Sequence, residues 1–83
     1  MTVANAVRQF IQKNFYVEDA AQLADDTSLV TEGIVDSTGM LEVIAFLEAE
    51  YGIRVEDHET VPANLETIGR IAAFVTAKSR KSA

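Results

Sequence analysis

The chain has 83 residues and a formal net charge of −6, a length that holds one small domain with a thin core and no deep catalytic cleft. Cysteine is absent, which excludes disulfides, thiolate zinc sites and cysteine nucleophiles together. No stretch approaches the roughly 18 apolar residues of a membrane span.

The charge is uneven. Lys78, Arg80 and Lys81 lie at the end of the chain, so residues 1–77 set Arg8, Lys13, Arg54 and Arg70 against all 13 acids. A surface this acidic repels nucleic acid and attracts basic protein patches. The segment Met1-Thr2-Val3-Ala4-Asn5 lacks the basic-then-apolar pattern of a signal peptide. The expectation is a soluble, cytoplasmic monomer that does not insert into membranes.

Residues 3–16 have helical period. Val3, Val7, Phe10, Ile11 and Phe15 form one stripe, and Arg8, Gln9, Gln12 and Lys13 face away. Thr2 is placed as N-cap. Residues 17–36 lack a sustained period. Glu18-Asp19-Ala20-Ala21-Gln22 reads as a short turn, and Asp25-Asp26-Thr27-Ser28 carries turn chemistry. Leu29, Val30, Ile34 and Val35 would hold this long loop across the helix ends, and long ordered loops are often functional.

Residues 37–51 form the second predicted helix. Met40, Val43, Ile44, Leu47 and Tyr51 share its core face. Thr38, Leu41, Ala45 and Ala49 fall on a neighbouring side, with Glu42 and Glu48 around them. Phe46 belongs to neither group. Gly52 suits the helix end, and Ile53-Arg54-Val55 reads as an extended connector plugging the core. Residues 56–60 suggest one helical turn, stopped by Pro62. Asn64 or Thr67 caps the last helix, whose buried stripe is Leu65, Ile68, Ile71, Ala72 and Val75. Residues 78–83 read as a frayed basic tail. The fold class is therefore all-α: a single domain over 1–83, a small bundle of three main helices and one short one, with a long first loop.

At the loop–helix junction Asp36 is a favourable N-cap and Ser37 the first helical residue. A phosphate ester on Ser37 would be favoured by the unpaired N–H groups and positive dipole end there. The plainer reading makes Asp36-Ser37 only a capping pair. Glycine early in a helix costs roughly 1 kcal/mol against alanine, so Gly39 is expected to give clearance to a group attached at Ser37 or to a partner's backbone.

Gly33-Ile34-Val35-Asp36-Ser37, followed by Leu41-Glu42-Val43-Ile44 and Leu47-Glu48-Ala49-Glu50-Tyr51-Gly52-Ile53, resembles the acyl carrier protein family. So do the long loop with Asp26-Thr27-Ser28-Leu29, the short acidic third helix and the capped fourth. The resemblance spans residues 3–77. It implies that a phosphopantetheinyl transferase attaches 4′-phosphopantetheine from coenzyme A to Ser37, and that the arm's thiol carries acyl or aminoacyl groups as thioesters. Asp36 would match the aspartate beside the transferase's metal, with no metal resident on the carrier. Thr38, Leu41, Glu42, Ala45 and Glu48 would match the surface read by the loading ligase and downstream synthases. Fatty-acid carriers usually read Asp-Ser-Leu-Asp; Asp-Ser-Thr-Gly is more similar to D-alanyl and other specialised carriers.

Other readings fit less well. A nucleophile elbow G-x-S-x-G fails because Val35 takes the first glycine position. The one histidine, His58, lies among acids and reads as an exposed surface residue. A calcium loop from Asp25 fails because Val30 takes the required glycine position and Leu29 an oxygen-ligand position. No intrinsic catalysis is expected. The alternative from another class is an acidic helical module that binds partners without covalent modification.

Overall fold

The computed structural model describes residues 2–15, 17 and 23–82. Among these are α1 (Val3–Asn14), α2 (Ser37–Tyr51), α3 (Pro62–Leu65) and α4 (Ile68–Ser82), with a 3-10 turn at Asp57–Glu59 and no strand. The fold is a small helical bundle of three long helices and one short one.

The apolar periodicity explains the packing. Val7 and Ile11 of α1, Val43 and Leu47 of α2, and Ile68, Ile71 and Val75 of α4 are buried together. Leu23, Leu29, Val35 and Ile53 complete this core from the connecting segments. Burying such a side chain contributes about 1.5–3 kcal/mol each. Thr2 caps α1, its hydroxyl accepting from the Asn5 N–H at 3.1 Å. Gly52 ends α2 in the left-handed region at φ 64°, where a side chain would be strained. Phe46, on neither face of the predicted wheel, stacks on Phe10 with ring centroids 4.3 Å apart.

Several expectations are corrected. Arg8 does not simply face away. Its Nε donates to the Leu23 carbonyl at 2.9 Å, and its guanidinium pairs with Asp25, fastening the loop to α1. Pro62 opens α3 from position N1, where its missing N–H is not needed. Leu65 belongs to α3, and α4 starts after Thr67, whose hydroxyl accepts from the Arg70 N–H at 3.0 Å. Ala72, expected in the buried stripe of α4, is only half-buried. The basic segment is not a separate tail, since α4 continues to Ser82. The turn expected at residues 18–22 lies outside the described residues.

The long loop is fastened to the start of α4. The Leu29 N–H donates to the Glu66 carbonyl at 2.9 Å, and the Gly69 N–H donates to the Asp25 carbonyl at 2.9 Å. These bonds deliver the chain to the start of α2 in one defined position.

Candidate functional site

The loop closes immediately before the site. The Ile34 and Val35 N–H groups both donate to the Leu29 carbonyl, at 2.9 and 3.0 Å. Gly33 sits at φ 72°, a conformation glycine adopts without a steric cost. Val35 is fully buried. Its anchoring sets the direction in which the next residues leave the core.

Asp36 follows in an extended conformation and caps α2, its Oδ1 accepting from the Gly39 N–H at 2.6 Å. The capping expectation is met in full. Ser37 is the first residue of α2 and is exposed. No base hydrogen-bonds its hydroxyl among the described residues, and His58 is exposed on the 3-10 turn. The arrangement offers an accessible hydroxyl at a helix N-terminus without the relay that would activate it in place.

Gly39 does provide clearance, but toward the interior. It is buried, and a Cβ built on it would stand 2.5 Å from Cε1 of Phe15 and 3.1 Å from Asp36 Oδ1. The glycine makes room for the Phe15 ring at the end of α1, not for an external group. The ring thereby packs under the first turn that carries Ser37.

Beside Ser37 runs a groove of about 500 Å³. Met40, Leu41 and Ile44 of α2 form one wall, and Thr60, Val61 and Leu65 contribute to the other. Val30 from the loop closes one side. The exposed large apolar residues Val30, Leu41 and Val61 all line this groove, with Leu41 the most open at 66% exposure. Asp57 and Glu66 add carboxylates to its lining.

Thr38, Leu41, Glu42 and Ala45 lie exposed together on the side of α2 that the wheel indicates. Glu48 does not share their freedom. It is half-buried, and its Oε2 accepts from the Val55 N–H at 3.0 Å. This carboxylate holds the connector after α2, a structural duty that sequence spacing did not reveal.

Sequence reading also missed the link between the 3-10 turn and α4. Lys78 Nζ donates to Glu59 Oε1 at 2.8 Å and Oε2 at 3.1 Å, and lies 5.9 Å from the centre of the Phe74 ring. The Lys78 hydrogen bond, together with one from the Glu56 N–H, lowers the Glu59 pKa below its ordinary value. The partners stand 19 positions apart, so no local pattern signals them. Among the described residues no group of three or more His, Asp or Glu gathers to hold a metal ion, and no helix is long and apolar enough to cross a membrane.

Searches against protein-family models and among the curated proteins return no match to this chain.

Proposed function

We propose that this protein is an acyl carrier, with Ser37 the attachment point for 4′-phosphopantetheine. The observation that carries the reading is the exposed Ser37 hydroxyl at the first position of α2, on the rim of an apolar groove. Among the described residues no base hydrogen-bonds this serine, which suits a residue modified by another enzyme. In that transfer the Ser37 oxygen forms a bond to the phosphorus of the pantetheine phosphate. Coenzyme A loses adenosine 3′,5′-bisphosphate as the leaving group, and the serine proton passes to a base of the phosphopantetheinyl transferase.

The residues present fit the group. The first-turn N–H groups of α2 and its dipole favour a phosphodiester on Ser37. The groove wall of Met40, Leu41 and Ile44 offers an apolar bed for an attached chain. The arm supplies a terminal thiol that carries acyl or aminoacyl groups as thioesters. The chain itself contributes position, raising the local concentration of the tethered group at each partner's active site. Thr38, Leu41, Glu42 and Ala45 form the face offered to the loading ligase and downstream synthases. An apolar anchor ringed by acid suits partners with basic patches. The reading implies a cytoplasmic protein without catalysis of its own.

Intact mass after incubation with coenzyme A and a broad-specificity phosphopantetheinyl transferase tests this. The expected result is addition of one phosphopantetheine group, absent in Ser37→Ala. A folded sample that takes no addition from several transferases would make the chain a non-covalent acidic interaction module instead.

A further inference from the structure

The second wall of the groove is held to the body in an unusual way. Between Ile53 and Leu65 no side chain is fully buried, and past Val55, which packs half-buried on the core, this segment adds no side chain to the core. It is braced internally instead. The Glu56 N–H donates to Glu59 Oε1 at 2.9 Å, the Thr60 hydroxyl to the Asp57 carbonyl at 2.6 Å, and the Asn64 amide to the Glu59 carbonyl at 2.9 Å. Beside the packing of α3 on α4, the 3-10 turn is tied to α4 by the two-oxygen grip of Lys78 on Glu59.

That tie differs from an ordinary surface pair. The Lys78 and Glu59 side chains are 21% and 19% exposed, against 86% and 48% for Arg54 and Glu56. Surface pairs of the latter kind contribute little, whereas a sheltered, charge-assisted contact is screened less and holds its geometry.

We propose that the Lys78–Glu59 pair is a clasp that keeps the 57–61 wall closed against α2, and that its release widens the groove beside Ser37. Closed, the wall covers whatever lies along Met40 and Ile44; open, it exposes it. The consequence for a tethered thioester rests on the carrier reading above, whereas the clasp itself does not.

The test therefore uses the full, unmodified chain. Lys78→Met removes the charge and keeps the stem; Lys78→Arg keeps both charge and reach. In Lys78→Met, backbone amides of 56–65 should exchange with solvent about tenfold faster, as expected for loss of a hydrogen-bonded charge pair. Amides in the middle of α1 and α2 should keep their rates, and Lys78→Arg should restore the original pattern. Since the chain lacks cysteine, spin labels at Ala45→Cys and His58→Cys read the wall-to-α2 distance directly. That distance should lengthen or broaden in Lys78→Met alone. Unchanged exchange and distance, or acceleration spread evenly over all helices, would overturn the proposal. Failure of Ser37 to accept phosphopantetheine would leave these readings intact, so the two ideas fail separately.

Discussion

The Phe15 ring occupies the space that a side chain at position 39 would need, with Cε1 only 2.5 Å from where the Cβ would stand. The end of α1 thus packs directly under the first turn of α2. Gly39→Ala should destabilise the fold by about 1–2 kcal/mol. Overpacking costs about 1–3 kcal/mol, offset by up to about 1 kcal/mol of helix propensity. Urea denaturation checks this, and Phe15→Leu in the same chain should recover most of the loss.

Ser37 and Asp36 should separate function from stability. Ser37→Ala removes an exposed hydroxyl, so stability should stay within about 0.5 kcal/mol while phosphopantetheine loading is lost. Asp36→Ala removes the bond to the Gly39 N–H and should cost about 1 kcal/mol as a lost N-cap. Thermal unfolding with intact mass on the same samples distinguishes the two.

Glu42 and Glu48 look equivalent on a helical wheel but differ in the structure. Glu42→Lys should leave stability nearly unchanged and weaken a basic partner more at low salt than at high salt. Glu48→Ala leaves the Val55 N–H without its carboxylate partner and should cost about 1–2 kcal/mol. Equal stability loss in both variants would contradict this division.

The Glu59 carboxyl titrates below its ordinary value of 4.5 because Lys78 and the Glu56 N–H favour its charged form. In acid the unfolded chain binds this proton first, so folding holds fewer protons than unfolding. The contribution is present in full above pH 4.5 and is lost as pH falls through the lower folded value. Denaturation midpoints for the parent chain and Glu59→Gln should converge as pH drops through that window.

Tyr51 responds at the other extreme. Desolvation, with the neighbouring Glu50 charge, raises its phenol pKa above 10.0. Its contribution is present below pH 10.0 and lost as pH rises through the raised folded value. Tyr51→Phe should remove that alkaline component, read by ultraviolet titration alongside unfolding.

Local sequence by itself determined the helical class, the bounds of α2, the Thr2 and Asp36 caps, the Gly52 stop and the exposed face around Leu41. Each depends on residues within a few positions of one another, where propensity, capping and 3.6-residue periodicity act directly. The tertiary structure decided the rest. It turned Gly39 toward Phe15, stacked Phe46 on Phe10, used Arg8 to fasten the loop, and set Glu48 against Val55. It also joined Lys78 to Glu59 across the groove wall. These contacts join residues on different elements, and their energies depend on a shared burial that no local pattern encodes.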